Sequence, residues 1–312
     1  MTSVTPQSAI AVTLSTSSVY PLGPEAAFET AARLGYDGVE VMVLGDPLTY
    51  DLGLLRRWSD EYGIPVLSIH APCLLVTQRV WGTSEPWVKL DRSIELAHEL
   101  DAEVVVVHPP FRWQRDYAAA FIDGIAQRED ADGGLLRIAV ENMFPWRARN
   151  TDVQAYLPAW DPVPQPFDSV TLDLSHTATA GSDALAMQAA LGDRLAHVHL
   201  ADGSGSFMDE HLVPGRGGQP CDEFLARLPE MGYGGLVCLE VGTRKLSPQD
   251  RELDLVEALA FARLHLGHPP LGHAPEHHPH RRVTTMRAGA ARRRERRLDR
   301  RSRRKARRNL RG

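Results

Sequence analysis

Short, almost wholly apolar runs alternate along the chain with longer segments whose apolar positions recur at helical spacing. Eight runs stand out: IAVTLST (10–16), GVEVMV (38–43), VLSIHA (66–71), EVVVVHP (103–109), LRIAVEN (136–142), SVTLDLS (169–175), LAHVHLA (195–201) and GLVCLEV (235–241). Continuous apolarity of this kind predicts strands buried on both faces, as in a parallel sheet. Helices are predicted between them. Residues 24–34 open with Pro24 in the first turn and stop at Gly35, the usual asymmetry. Residues 85–100 follow Ser84 as N-cap, and residues 248–266 follow Ser247 with Asp250 three positions on. Segments 51–62, 115–128, 183–191 and 222–231 complete the set.

This alternation over roughly 265 residues predicts an α/β fold, a single (β/α)8 barrel covering residues 1–266. The competing arrangement is an open doubly wound sheet. It lacks its phosphate-binding turn here, because no G-x-G-x-x-G follows the first run. The loop 143–168 is the longest interruption in the first half. Its prolines at 158, 162, 164 and 166 predict a stiff, extended path over one barrel end.

Composition breaks near Gly267. HPPLGHAPEHHPHRR and then RRRERRLDRRSRRKARRNL are too polar to bury a core, so residues 267–312 are predicted to be a disordered basic tail. A nucleic-acid-binding arm, a His-rich metal buffer and an extension without selected function all remain open for it. Residues 271–312 hold 16 of the 35 basic residues and 3 of the 40 acidic ones. The body is therefore strongly acidic, which disfavours a polyanionic partner there or serves solubility alone. Three cysteines without a C-x-x-C pair predict a reducing, cytoplasmic setting. No basic segment precedes the first apolar run, and no apolar run reaches the ~18–20 residues of a membrane-spanning helix.

The chemistry collects at the ends of the runs. His70, His108, Glu141, Asp173, His199 and Glu240 close runs three to eight. In a barrel these C-terminal ends converge on one mouth, where active sites form. His98, mid-helix, reads as structural, and His197 as packing one layer deeper. Glu40 on the second run is left open between packing and function. His176 follows Asp173 in DLSH. The stretch HLADGSGSFMDEHLVPGRGG adds Asp209 and His211, whose i, i+2 spacing offers two ligands to one side. Its glycines predict a lid folded back over the mouth. Mixed imidazole and carboxylate donors without thiolate suit Zn²⁺, Mn²⁺, Co²⁺ or Fe²⁺. Nine donors exceed the needs of one ion and predict two or three.

These residues resemble the xylose isomerase-like TIM-barrel superfamily, which includes endonuclease IV (AP endonuclease family 2) and many sugar or sugar-phosphate isomerases and epimerases. The resemblance covers about residues 8–265. The endonuclease IV pattern is matched by IHAP (His70), VVHP (His108), VEN (Glu141), LDLSHTATAG (Asp173, His176), HLADGSGSFMDEH (His199, Asp209, His211) and CLEVG (Glu240). In that branch the set holds three zinc ions that attack a phosphodiester at an abasic site. The isomerase branch implies one divalent ion on Glu141, Asp173, His199 and Glu240. There the two glutamates pass a proton to and from a sugar carbon through an enediolate, and His176 and Arg216 contact substrate. Departures separate the branches. Cys73 stands where the repair enzymes carry a tyrosine, the first strand lacks their histidine, and VLGDPLTYDLG has no cation. DNA binding wants aromatic stacking and cations on the backbone.

The reading that follows is a metal-dependent isomerase or epimerase of a small sugar or sugar phosphate, with Glu141 and Glu240 as the proton-transfer pair. Arg216 is expected to bind a substrate phosphate or carboxylate. Hydrolysis of abasic-site DNA is the second reading. A non-catalytic metal or nucleic-acid-binding protein acting through the tail is the third.

Overall fold

The computed structural model describes residues 10–72, 79–148 and 151–268. Cys73 and almost all of the predicted tail lie outside them. Each of the eight predicted runs forms a strand: β1 (Ala11–Ser15), β2 (Gly38–Met42), β3 (Val66–His70), β4 (Val104–Val107), β5 (Arg137–Glu141), β8 (Val170–Asp173), β9 (Leu195–Leu200) and β10 (Leu236–Leu239). They pair in parallel in chain order, and β10 pairs with β1 to close the ring. A short antiparallel hairpin, β6 (Trp146–Ala148) and β7 (Thr151–Val153), sits between β5 and β8.

Among the described residues eight α-helices surround the barrel: α1 (Pro24–Leu34), α2 (Leu52–Tyr62), α3 (Pro86–Glu99), α4 (Arg115–Ala131), α5 (Leu174–Ala180), α6 (Ala184–Leu191), α7 (Cys221–Glu230) and α8 (Pro248–His265). The main core lies between ring and helices, where Phe28, Phe121, Phe224, Leu55 and Leu255 have no exposed surface. Asp51, Asp183 and Ser247 cap α2, α6 and α8 by accepting from backbone N–H groups three residues on. The expected Ser84 cap is displaced by one residue. Glu85 is the N-cap of α3, and Thr83 Oγ1 takes the Glu85 N–H at 3.0 Å.

Two features depart from the sequence expectation. Helix α5 begins directly at the end of β8, with Asp173 as its N-cap. LSHTATA has weak helix propensity, and the helix exists because Asp173 Oδ1 accepts the His176 N–H at 2.8 Å. The second concerns the proline-rich loop: as expected, the described residues of 142–169 contain no helix, but their path differs. They run from the C-terminal end of β5 to the N-terminal end of β8, so they travel down the barrel flank rather than only across one end. Arg194 fastens this stretch by donating to four carbonyls, those of Pro162, Val163, Gln165 and Phe167, at 2.6–3.2 Å.

Inside the ring, Leu67, Val104, Val106, Ala139 and Leu236 make an apolar floor. Arg137 closes it underneath with bonds to Ala196 O and Gly234 O, both 3.1 Å. Glu40, Ser68 and His197 lie deep in the ring and are fully buried. Among the described residues no helix is long and apolar enough to cross a membrane.

Candidate metal centre

All nine predicted ligands meet at the C-terminal mouth. Glu141, buried at the end of β5, is the hub. Its Oε2 lies 2.8 Å from His108 Nε2 and 3.3 Å from His70 Nε2. Its Oε1 lies 2.7 Å from His199 Nδ1 and 3.6 Å from His176 Nδ1. Two further carboxylates face the same His199 nitrogen: Glu240 Oε2 at 3.2 Å and Asp173 Oδ2 at 3.6 Å. Asp209 Oδ2 joins His211 Nε2 at 2.9 Å and His176 Nε2 at 3.3 Å. Seven of the nine fall into three overlapping groups, His70–Glu141–His199, Asp173–His199–Glu240 and Asp173–His176–His211, each compact enough to share a cation; a fourth such group, Glu40–His197–His199–Cys238, lies deeper in the ring.

Surrounding groups set the orientation of each ligand. His70 Nδ1 donates to Ala71 O at 2.9 Å, which leaves Nε2 toward Glu141. His176 Nδ1 lies 2.8 Å from Asn142 O. The Asn142 side chain also clamps the Asp173 backbone, accepting its N–H at 2.6 Å and donating to its carbonyl at 3.1 Å. Ser17, in a 3-10 turn after β1, donates to Glu240 Oε1 at 3.0 Å. Ser175 donates to Asp209 Oδ1 and accepts the His211 N–H. His211 takes a left-handed backbone (φ 47°), which a non-glycine residue adopts at a cost. The bond from its N–H and a 2.8 Å contact of Nδ1 with Glu240 O hold it there.

Glu40, left open in the sequence, lies directly behind His199. Its Oε1 accepts from His199 Nε2 at 2.9 Å, which fixes Nδ1 toward the three carboxylates. Its Oε2 accepts from Ser68 Oγ at 2.7 Å and lies 3.1 Å from His197 Nε2. A carboxylate behind a ligand imidazole is the usual support of a metal-bound histidine. His197 thus sits behind Glu40, in the deeper layer expected for it. His98 is paired with Asp132 at 2.7 Å, away from the mouth.

The segment 201–220 does fold back onto the cluster, but it is pinned. Asp202, fully buried, accepts four backbone N–H groups: Gly203 and Gln219 on Oδ1, Gly215 and Gly217 on Oδ2, at 2.8–3.0 Å. A Cβ on residue 217 would lie 2.3 Å from Asp202 Oδ1, so glycine is required there. Arg216 is not brought to the cluster. Its guanidinium turns to α8 and pairs with Glu257 and Asp254 at 2.5 and 2.8 Å.

The electrostatics favour a cation. Among the described residues no Lys or Arg pairs with Glu40, Glu141, Asp173, Asp209 or Glu240; their charged neighbours are histidines. Burial pushes the His199 imidazole down, but Glu40, Glu141 and Glu240 outweigh it and hold it well above the ordinary range. His176 is likewise raised to about 9, with Asp173 and Asp209 overriding burial. Burial would raise Glu141, and the facing His199 and His108 hold it well below its usual value instead. Asp173 Oδ2 is buried without a hydrogen-bond partner. An ionised oxygen in that state is costly unless a cation meets it. The nitrogen and oxygen donors therefore fit a divalent ion of the Zn²⁺ or Mn²⁺ kind.

Comparison with known proteins agrees with this architecture. An uncharacterised protein of Mycobacterium tuberculosis is 51% identical over 278 residues, spanning 83% of this chain and 98% of that protein. Fructoselysine 3-epimerase of Shigella flexneri is 24% identical over 246 residues, spanning 70% of this chain and 85% of that enzyme. The crystal structure of a D-tagatose 3-epimerase-like protein superposes with a TM-score of 0.58 at 23% identity, covering 82% of this chain and 99% of its own. The family described as the xylose isomerase-like TIM barrel matches residues 28–265, and the chain belongs to that family.

Proposed function

We propose that this chain is a divalent-metal-dependent isomerase or epimerase of a small sugar or sugar phosphate. The observation that carries the reading is the convergence of Glu141, Glu240 and Asp173 on His199 Nδ1, with Asp173 Oδ2 otherwise without a partner. Glu141, Asp173, His199 and Glu240 would hold the ion, which supplies Lewis-acid polarisation of a substrate oxygen. Glu141 and Glu240 approach His199 from different strands. One takes a proton from a sugar carbon and the other returns one to it, which sets the configuration. The burial of Glu141 keeps bulk water from competing for its proton. The sugar epimerases among the relatives support this class of substrate. Two buried free thiols, Cys221 and Cys238, support a reducing, cytoplasmic setting.

The test is deuterium exchange. Protein loaded with zinc or manganese is incubated in D2O with ketohexoses and their phosphates, and carbon-bound deuterium is read by NMR. Exchange lost by about 10²–10⁴-fold in Glu141→Gln and Glu240→Gln is expected. No exchange by a fully metallated protein across that panel overturns the reading.

A second reading, hydrolysis of a phosphodiester at an abasic site, draws on the third donor group, Asp173–His176–His211. Nicking of a duplex with one abasic site, lost in Glu141→Gln, would favour it.

A further inference from the structure

We infer that the rim between β4 and β5 is a second binding subsite, taking an anionic sugar ring joined to the sugar that the carboxylates process. The inference rests on the sugar-processing reading above. Two segments build the subsite, and each starts at a ligand. The loop after His108 carries Phe111, Arg112 and Trp113, and the hairpin after Glu141 carries Trp146. Phe111 and Trp113 stack in parallel, with centroids 4.4 Å apart and planes 4° apart. Trp146 lies 5.7 Å from both rings at about 50°. Tyr156 backs Phe111 at 4.8 Å.

This shelf is built, not incidental. Arg112 N–H donates to Ala155 O, and Leu157 N–H to Pro110 O, both at 2.8 Å, tying the two segments together. Yet Trp113 stays 52% exposed and Trp146 37% exposed. One face of Trp113 rests on Phe111, which leaves the indoles free to take a flat apolar surface. The C–H face of a pyranose is such a surface. The shelf lies outward of the buried ligands, so a ring seated on it is not the ring facing Glu141 and Glu240.

An open cavity of about 670 Å³ adjoins the shelf, lined by Arg112, Trp113, Arg115, Gln154 and Leu157. That volume is in the range of small-molecule sites. Neither guanidinium there has an ion-pair partner among the described residues. Arg33, Arg56, Arg128, Arg216 and Arg227 pair with carboxylates, whereas Arg112 and Arg115 stand beside exposed indoles at an open cavity. In a body this acidic, two unpaired arginines beside an aromatic shelf select an anion, because the guanidinium fork matches carboxylate or phosphate oxygens.

Calorimetric titration of the metal-loaded full chain tests this with cellobiose, cellobiouronic acid and cellobiose 6′-phosphate. The two anionic probes separate carboxylate from phosphate. Binding of at least one anionic probe about tenfold tighter than cellobiose is expected, with that preference abolished in Arg112→Gln/Arg115→Gln. Trp113→Ala is expected to weaken neutral and anionic probes alike. Metal content and glucose binding are recorded beside them. Unchanged metal binding with no anionic preference, or with no effect of the arginine pair, overturns the subsite alone. A chain that takes up no metal overturns the proposed activity while the disaccharide preference stays readable. Preference for an abasic duplex over all three sugars, lost in the same variants, overturns the subsite in favour of a nucleic-acid surface.

Discussion

Replacing Asp202 by Asn keeps the volume of the side chain and removes half of its acceptors. Each carboxylate oxygen takes two backbone N–H groups, Gly203 and Gln219 on one, Gly215 and Gly217 on the other. Whichever way the amide is turned, two N–H groups then face an NH2. A hydrogen bond to a charged acceptor contributes about 1.5–3 kcal/mol, so losing two costs about 3–6 kcal/mol. That is a large part of the ~5–15 kcal/mol by which a domain is stable. The same loop carries Asp209 and His211, so cation binding by the outer donor group should weaken with it. Guanidinium unfolding of metal-free protein, followed by tryptophan fluorescence, reads the loss. Hydrogen exchange at the Gly215 and Gly217 amides locates it. A loss under ~1 kcal/mol with those amides still protected would refute the claim that one carboxylate organises this segment.

Two other outcomes are expected. Glu40→Gln should cut metal affinity about 10–100-fold while the fold is retained, since it loosens the support behind His199; chelator competition giving wild-type affinity would remove that role. Metal affinity should also rise with pH. In the metal-free protein His176 is held up at about 9, and His199 and His211 are well above their usual value, so a cation must displace their protons at neutrality. The same His176 pairing stabilises the metal-free fold fully below 6.5 and is lost as pH rises through about 9. Metal titrations flat between about pH 6 and 8 would count against this.

The strands were legible because burial on both faces leaves a continuous apolar signature, and all eight lie within two residues of the predicted runs. The convergence of the nine side chains was legible because a parallel barrel places the last residue of every strand at one mouth. Three things were not. Helix α5 is written in Ser, Thr and His, and only the cap supplied by Asp173 reveals it. Arg216 sits in the expected loop, but the direction of a long side chain depends on Asp254 and Glu257, which lie 38 and 41 residues away. Glu40 was seen but not resolved, since a buried glutamate on a strand reads the same whether it faces a ligand or a core partner. Its tie to His199 spans 159 residues.

The proline-rich stretch on the barrel flank divides the ring into two unequal arcs. His70, His108 and Glu141 belong to the arc before it, and Asp173, His176, His199, Asp209, His211 and Glu240 to the arc after it. Neither arc alone holds a complete first donor group, because Glu141 must meet His199 across the β5–β8 border. The other border, β10 against β1, is crossed by Ser17 reaching Glu240. A cation bound at Glu141 and His199 would therefore act as a rivet across the first of these borders. Loss of such an ion would loosen the β5–β8 border before it loosens any helix, an order that hydrogen exchange with and without metal would register.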